Sequence, residues 1–304
     1  MINKRQYILE NKREIATSIY DLLLVSEIAQ DNAQLKFESD EYLHKPGQFV
    51  NLKVDGFYLR RPISVCDNYI DNGKIYLRLI MKIFGEGTFS LSTLPIGAKI
   101  EILEGLGKCF DYESLTDEKV ILAGGGVGIP PLFFLAKHLI NRGKKPLVCL
   151  GYRSKQDIFL INDFEKLGAE VVWATDDGSS GLKMLLPDIL RDYFASEILP
   201  NKLRDNLSKQ LGDKDIKDIK DIKDIKDLDI RTRESFYVYS CGPEAMLKAL
   251  FSVLKEKKIE GQFSLEERMG CGYGACMGCS HKMKTGIKRI CKEGPVFEID
   301  ELIW

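Results

Sequence analysis

Four of the eight cysteines in this chain lie between positions 271 and 291, and no other feature of the sequence narrows the possible folds so far. Their pattern is C-x4-C-x2-C-x11-C, within the segment RMGCGYGACMGCSHKMKTGIKRIC. These spacings are typical of plant-type 2Fe-2S centres. Glycines at 272, 274 and 278 permit backbone turns that other residues resist, so three thiolates on one loop can wrap two iron atoms. The pattern predicts a 2Fe-2S cluster held by Cys271, Cys276, Cys279 and Cys291.

Other interpretations of these cysteines explain less. A zinc ribbon is the main alternative, but it needs two short C-x2-C pairs and this segment contains one. Buried structural thiols would not explain the clustering. A disulfide framework requires export, and the first thirty residues contain no apolar stretch of signal-peptide length. We therefore expect a cytoplasmic protein in which the scattered Cys66, Cys109 and Cys149 are small buried side chains.

Charge and composition exclude two classes of partner. Lys and Arg number 44 and Asp and Glu number 45, so the net charge is −1 and no general field attracts nucleic acid or an anionic membrane. The longest apolar run, residues 120–136, is interrupted by glycines and prolines and does not predict a membrane span. With 304 residues, 44% of them hydrophobic, the chain is long enough for two domains and a small additional segment.

Hydrophobic patterning divides the chain into three parts. In residues 1–112, short alternating or β-branched runs such as 19–26 and 74–81 are broken by Pro-Gly and Asn-Gly turns, which predicts a small antiparallel barrel. Residues 113–258 alternate continuous apolar runs with helical spacing, which predicts a parallel sheet covered on both faces. Residues 259–304 form a cysteine-rich segment that ends in an apolar tail.

Asp-Ile-Lys triplets dominate residues 213–229, so an apolar residue recurs at every third position. Because that period drifts around a 3.6-residue helix, the isoleucines form no lasting apolar stripe. We interpret the region of about 200–233 as a solvated low-complexity insertion in the α/β domain, with a partner-binding element as the alternative.

A glycine-rich turn predicts a dinucleotide site in the α/β domain. The run AGGGVGIPP at 123–131 stands between an apolar strand and an amphipathic helix, where glycines let the backbone approach a pyrophosphate at the helix N-terminus. Ile129 replaces the last glycine of G-x-G-x-x-G, so a tight turn without a ligand is the alternative. Other strand ends, at Arg153, Asp176 and SCGPEAM, offer groups for a ribose or its phosphate, and Arg153 leaves NADP open. The candidate residues are Gly124, Gly125, Gly126, Gly128, Cys241, Gly242 and Pro243.

Two short motifs in the β part suit a flavin. In RRPISV, at 60–65, an arginine can hold a phosphate with two hydrogen bonds and a serine can bond a flavin ring edge. In GEGT, at 85–88, a turn before a helix can hold phosphate oxygens. Taken alone, Arg61 is equally consistent with a surface charge and Gly85 with a hairpin turn. Together, and beside a dinucleotide domain, the two motifs indicate a flavin site. The candidate residues are Arg61, Pro62, Ile63, Ser64, Gly85, Gly87 and Thr88.

The order of these motifs along the chain carries a resemblance. R-x-x-S, G-x-G-T, G-G-G-x-G-x-x-P and C-G-P form a series that resembles the ferredoxin-reductase-like flavoproteins. The segment SLEERMGCGYGACMGC is similar to the signature of the electron-transfer subunits of NAD-dependent dihydroorotate dehydrogenase, type B. The resemblance covers nearly the whole chain apart from the triplet repeats. Ile63 stands where the wider superfamily has tyrosine, and these subunits commonly have an aliphatic residue there.

The resemblance implies a fold and a set of roles. The fold is a six-stranded FAD-binding barrel, an NAD-binding α/β domain and a C-terminal 2Fe-2S segment. Arg61 would hold the FAD pyrophosphate, Ser64 would contact the isoalloxazine edge, and Gly87 with Thr88 would complete the phosphate site. The glycines at 124–128 would hold the NAD phosphates, and Cys241 would lie near the nicotinamide. The cofactors perform the reaction, so no side chain is expected to be a proton-transfer catalyst.

The resemblance also implies a partner. An FMN-containing catalytic subunit would oxidise dihydroorotate in pyrimidine biosynthesis, with electrons passing through 2Fe-2S and FAD to NAD+, in a heterotetramer of two copies of each subunit. We expect no dihydroorotate site in this chain, and we expect the cluster loop and the apolar tail to face the partner. Related ferredoxin:NADP oxidoreductase or glutamate-synthase-like subunits are alternatives, as is a redox-sensing binding protein. Some of those relatives replace one cluster cysteine by aspartate, so the four cysteines favour the dihydroorotate family.

Overall fold

The computed structural model describes residues 2–27, 43–116, 118–196 and 235–304. In its first part, six strands close into an antiparallel barrel. They are β1 (Asn3–Ala16), β2 (Ile19–Glu27), β3 (Phe49–Leu52), β4 (Arg61–Asp71), β5 (Lys74–Lys82) and β6 (Lys99–Leu106). Their order around the barrel is β1-β2-β5-β4-β3-β6, and helix α1 (Glu86–Thr93) connects β5 to β6. The predicted barrel is confirmed.

Alternation explains why these segments are strands. Along β5, Ile75, Leu77 and Leu79 are fully buried while the residues between them are at least partly exposed, as expected for one face against a core. The turn from β4 to β5 uses Asn72 and Gly73, both with positive φ, at 46° and 74°. This conformation matches the twist of a tight hairpin and favours Asn-Gly.

The second part is a six-stranded sheet with helices on both faces. The elements in chain order are β7 (Lys119–Gly125), α2 (Ile129–Asn141), β8 (Leu147–Tyr152), α3 (Ile161–Lys166), β9 (Glu170–Thr175), α4 (Leu186–Ser196), β10 (Phe236–Cys241), α5 (Glu244–Lys257) and β11 (Glu260–Ser264). The five strands β11-β10-β7-β8-β9 are parallel. Alternate residues of β7 enter different cores, since Ile121 packs in one cluster and Leu122 in another.

The C-terminal part adds the sixth strand to this sheet. A hairpin of β12 (Ser280–Met283) and β13 (Gly286–Arg289) leads into a short helix, α6 (Ile290–Glu293). Strand β14 (Val296–Glu298) then pairs antiparallel with β11. Strands β11 and β14 therefore tie residues 259–304 to the sheet of the α/β part, whereas β12 and β13 form a separate two-stranded sheet.

The apolar tail packs mainly onto the chain's own sheet, and the expectation that it also faces a partner stays a prediction. Phe297 is 3% exposed and Leu302 is 1% exposed, and Trp304 packs against Phe251 and Phe263. The apolar pattern of the tail correctly predicts that it is buried. The surface that buries it belongs to the chain's own α/β part.

Helix α2 joins the barrel to the sheet. Its Phe134 is 1% exposed and lies in the barrel core, whereas the neighbouring Phe133 packs on Phe164 in the α/β core. Lys137 of the same helix forms a 2.8 Å ion pair with Asp67 of β4. The predicted triplet insertion lies outside the described residues. Among the helices described here, none is long and apolar enough to cross a membrane.

Candidate flavin, nucleotide and iron-sulfur sites

The four clustered cysteines lie on one loop and the helix that follows it. Cys271, Cys276 and Cys279 belong to the loop between β11 and β12, and Cys291 belongs to α6. All four are free thiols. Cys276 is exposed and Cys271 is partly exposed, whereas Cys279 and Cys291 are each 2% exposed. The sulfurs thus span the boundary between solvent and the protein interior.

Backbone N–H groups point at these sulfurs and divide them into two pairs. Cys271 Sγ accepts N–H bonds from Ala275 at 3.2 Å and from Cys276 at 3.4 Å, and Cys276 Sγ accepts one from Cys271 at 3.4 Å. Cys279 Sγ accepts the N–H of Cys291 at 3.4 Å. N–H groups directed at cysteine sulfurs tune iron-sulfur centres. The outer pair is Cys271 with Cys276, and the inner pair is Cys279 with Cys291.

Two pairs of thiols fit two iron atoms better than one metal ion. A [2Fe–2S] cluster has four cysteine ligands shared between two irons. A tetrahedral zinc site would draw all four sulfurs around one centre. The sequence spacing of the four cysteines and the hydrogen-bonded pairing of their sulfurs therefore fit the predicted cluster.

The local environment separates the two pairs chemically. Burial raises the pKa of the Cys271 thiol, but N–H groups at Tyr273, Cys276 and Ala275 outweigh that effect and lower this pKa to about 6. Burial and the neighbouring Cys279 raise the pKa of Cys291 to about 12. Since thiolates are the metal ligands, Cys271 is closer to its metal-binding form than Cys291 is.

An arginine that the sequence analysis did not identify holds this loop. Arg289 donates from Nη1 to the Gly274 carbonyl at 2.6 Å and from Nε to Glu293 at 3.0 Å. Hydrogen bonds from Arg289 lower the pKa of Glu293 to about 2, so this pair stays charged at neutral pH. No motif in the sequence marks Arg289, because its contact with Gly274, 15 positions away, is formed by the fold. It places a positive charge beside the cluster loop.

The two flavin motifs meet in the structure. Arg61 lies at the start of β4, and its guanidinium covers Gly87 so closely that a Cβ at Gly87 would overlap it. Arg61 also lies 5.0 Å from the Phe57 ring centroid and donates to the Leu59 carbonyl at 2.5 Å. Two segments more than twenty residues apart are thus joined at one charged group, as a phosphate site requires.

Helix α1 presents its N-terminus at this point. Thr88 Oγ1 accepts the N–H groups of Phe84 at 2.9 Å and Gly85 at 3.3 Å, and it donates to the Gly85 carbonyl at 3.0 Å. These bonds fix the turn before the helix. The helix N-terminus and Arg61 together favour an anion here.

The remainder of the first motif runs along β4 beside β3. Pro62 lies opposite Asn51, Ile63 opposite Val50, and Ser64 opposite Phe49. Each of the three motif residues is partly exposed, whereas β3 is buried throughout. A partly exposed strip on a rigid strand suits the flat ring of a flavin.

The nucleotide motifs also converge. Gly124 and Gly125 end β7, Gly126–Gly128 form a 3-10 turn, and Pro130 and Pro131 lie in the first turn of α2. A Cβ on Gly128 would overlap the carbonyl group of Cys241, and Gly242 lies against Gly125. Pro243 caps the N-terminus of α5. The two predicted segments form one surface. Residue 128 must be glycine because the Cys241 backbone approaches it too closely for a side chain.

Sheet topology explains why they meet. From β7 the chain continues outward through β8 and β9 and then returns to place β10 on the other side of β7. Ligands of open α/β sheets bind at such a switch point, outside the carboxyl ends of the strands. Cys241 is 2% exposed at the end of β10, and burial raises the pKa of its thiol, which is therefore neutral.

The strand ends at Arg153 and Asp176 lie farther along the same edge. Asp177 donates its N–H to the Arg153 carbonyl at 3.3 Å, and Lys155 donates its N–H to Ser179 Oγ at 2.7 Å. Burial raises the pKa of Asp176, partly offset by the positive charge of Arg153. Carboxylates at this edge can accept a hydrogen bond from the ribose 2′-hydroxyl of NAD, whereas they would repel the 2′-phosphate of NADP.

Comparisons with known proteins identify the family of this chain. The family described as the iron-sulfur cluster binding domain of dihydroorotate dehydrogenase B matches residues 266–303. The electron transfer subunit of dihydroorotate dehydrogenase B (NAD(+)) from Bacillus cereus (strain G9842) is 34% identical over 312 residues, which cover 100% of both chains. This chain belongs to that family. The subunit of the same name from Bacillus anthracis (strain A0248) has the same identity and coverage.

Solved structures confirm the ferredoxin-reductase-like fold of this family member. The NADH-dependent reduced ferredoxin-NADP oxidoreductase structure has a TM-score of 0.72 and 24% identity, with 98% of this chain and 90% of that chain covered. The ferredoxin reductase of carbazole 1,9a-dioxygenase has a TM-score of 0.61 and 16% identity, with 85% and 67% covered. At these identities the likeness concerns the fold alone.

Proposed function

We propose that this chain is the electron-transfer half of an NAD-dependent dihydroorotate dehydrogenase of pyrimidine biosynthesis, carrying FAD and a 2Fe-2S cluster and using NAD as substrate. Full-length similarity to subunits of that name supports the assignment. The observation that carries it is that motifs distant in sequence meet in the structure: Arg61 lies against Gly87, and Gly128 lies against Cys241, while the four clustered cysteines form two hydrogen-bonded pairs.

When bound, FAD would exchange hydride with NAD and single electrons with the cluster, while the chain's own residues would bind and orient these groups. Arg61, Gly87 and Thr88 would hold the FAD pyrophosphate, with Gly85 in the same turn, and Ser64 would contact the flavin edge beside Pro62 and Ile63. The glycines at 124, 125, 126 and 128 would hold the NAD phosphates, and Cys241, Gly242 and Pro243 would border the nicotinamide. Cys271 with Cys276 would bind one iron, and Cys279 with Cys291 the other.

We further propose that the cluster loop faces an FMN-containing catalytic subunit, in a heterotetramer of two copies of each. Cys276 is exposed between two exposed apolar side chains, Tyr273 at 47% and Met277 at 53%. Apolar side chains beside an exposed ligand suit contact with another protein. In this arrangement the dihydroorotate site belongs to the partner and not to this chain.

The domain division is part of the proposal. Residues 1–112 would form the FAD-binding domain, 113–258 the NAD-binding domain with its insertion, and 259–304 the cluster segment, which shares the central sheet. All eight cysteines are free. Free thiols favour a reducing compartment, and we propose the cytoplasm.

Anaerobic purification of the full chain tests the proposal. We expect a coloured protein with flavin, iron and acid-labile sulfide, which reduces dyes with NADH and oxidises no dihydroorotate alone. The Cys279→Ser variant should lose iron and sulfide but keep FAD, and the Cys109→Ser variant should keep all three. Colourless or zinc-containing protein would contradict the cofactors, and dihydroorotate turnover without a partner would contradict the division of labour.

A further inference from the structure

One buried amide links the flavin barrel to the cluster loop. Asn51 is the polar residue of β3, is 1% exposed, and lies opposite Pro62 in the flavin motif. Burying a polar side chain in such a position costs free energy unless hydrogen bonds replace those it made to water.

The Asn51 side chain reaches a cluster ligand. Its Nδ2 donates to the main-chain carbonyl of Cys271 at 3.2 Å, across 220 positions of sequence. Cys271 is the ligand whose sulfur accepts N–H bonds from Ala275 and Cys276. The amide therefore holds the backbone of Cys271 at the start of the cluster loop, directly before the turn at Gly272.

The loop is built to approach this amide. Gly272 has φ of +78°, and a Cβ at this position would overlap Asn51 Nδ2. Both the conformation and the space require glycine. Asn51 Oδ1 is also buried, and it has no hydrogen-bond partner among the residues that the structure describes. Buried amide oxygens normally accept a hydrogen bond, so this oxygen is open to a donor.

We propose that Asn51 is a positioning residue for electron transfer between the 2Fe-2S cluster and FAD. Its N–H fixes the cluster loop against the strand beside the flavin motif, and its carbonyl oxygen accepts a hydrogen bond from a donor group of bound FAD. This inference rests on the proposed function, because it requires both groups to occupy the sites described above. Loss of the amide releases the loop and changes the separation and the potential of the two groups.

The test compares the full chain, purified anaerobically with both groups, with its Asn51→Leu and Asn51→Asp variants. NADH delivers two electrons to FAD as a hydride, and the cluster then accepts one of them. Rapid-mixing absorbance and freeze-quenched electron paramagnetic resonance follow the two steps separately. We expect the hydride step to stay within about twofold and the cluster step to slow by about tenfold or more, as is typical when a ligand's supporting hydrogen bond is removed. The cluster's resonance line shape and midpoint potential should also move.

Asn68→Leu is the matched control. Asn68 is also a buried barrel asparagine, at 6% exposure, but its side chain bonds the backbone of His44. It should lose stability without slowing the cluster step. Gly272→Ala, which crowds the same contact from the loop side, should reproduce the Asn51 defect if Asn51→Leu does not fold.

The outcomes distinguish a failure of the proposed function from a failure of the role of Asn51. Wild-type protein without FAD or a cluster that NADH can reduce would contradict the proposed function itself. Wild-type behaviour of the cluster step and of the resonance spectrum in Asn51→Asp, which keeps an oxygen but loses the amide N–H, would overturn the role of Asn51 alone. An equal slowing in Asn68→Leu would also overturn it, because the effect would then be one of general barrel stability.

Discussion

At the scale of single residues, charge placement distinguishes side chains that sequence patterns treat alike. Arg60 and Arg61 are neighbours, yet Arg60 pairs with Glu101 on the barrel, whereas Arg61 covers Gly87 and faces the end of α1. Only the second arrangement leaves a cation directed at a helix N-terminus.

Arg61→Gln should therefore weaken FAD binding by about 10- to 100-fold, the range expected for one charge-assisted hydrogen bond. Arg60→Gln, which removes the same charge one position away, should change FAD affinity much less. Equilibrium dialysis of FAD against the cluster-containing chain measures both. Equal losses in the two variants would show that net charge, and not the Arg61 geometry, controls binding.

The charge of Arg289 should influence the midpoint potential of the cluster. Its positive charge beside the cluster loop stabilises the more negative, reduced cluster, so Arg289→Gln should lower the cluster midpoint potential by an amount on the order of tens of millivolts. Lys284→Gln removes an equal charge from an exposed position in the same segment and should have a smaller effect. A redox titration followed by electron paramagnetic resonance decides between them. A rise in potential in Arg289→Gln would refute this electrostatic account.

At the scale of elements, the important contacts are between turns. The glycine-rich turn after β7 and the turn after β10 touch through their backbones at Gly128 and Cys241. Such a contact has no room for a methyl group.

Gly128→Ala should accordingly destabilise the cofactor-free chain by about 1–3 kcal/mol, the usual cost of overpacking, and should raise the Kd for NADH. Gly85→Ala is a matched control for stability, because open space surrounds that position and its φ is extended. Thermal unfolding of both cofactor-free variants gives the comparison. An unchanged midpoint for Gly128→Ala would mean that the two turns are not held together as described.

Periodicity and turn chemistry were sufficient to predict these elements but not their contacts. The alternation in β5 and the glycine run after β7 are local signals, so the barrel, the parallel sheet and the glycine-rich turn between strand and helix could be predicted. The bond from Asn51 to Cys271 and the clamp of Arg289 on Gly274 join segments through the fold, and no local pattern encodes them. The tail shows the same limit, because an apolar stripe indicates that a surface is buried but does not identify what covers it.

At the scale of the whole molecule, helix α2 connects two cores through adjacent side chains. Phe134 enters the barrel and Phe133 enters the α/β core. Helix α2 therefore contributes to the relative placement of the barrel and the sheet, because it is packed on both sides.

Phe134→Ala and Phe133→Ala should each cost about 3–5 kcal/mol. The damage should nevertheless differ, because Phe134→Ala should speed hydrogen exchange in barrel peptides, and Phe133→Ala should speed it in peptides from α2 and α3. Hydrogen-exchange mass spectrometry on the full chain resolves the two patterns. Identical patterns would show that the two cores behave as one cooperative unit.

With one iron held by each pair of thiols, as proposed above, the two irons would differ in their susceptibility to damage. Dissolved oxygen and peroxide reach Cys276 directly, while Cys279 and Cys291 are enclosed by protein. Degradation in air should therefore start at the solvent side, with early alkylation of Cys271 and Cys276 by a thiol-labelling reagent and late labelling of the other two. Docking of a second protein over the exposed side would then shield the cluster from oxidants as well as provide its electrons.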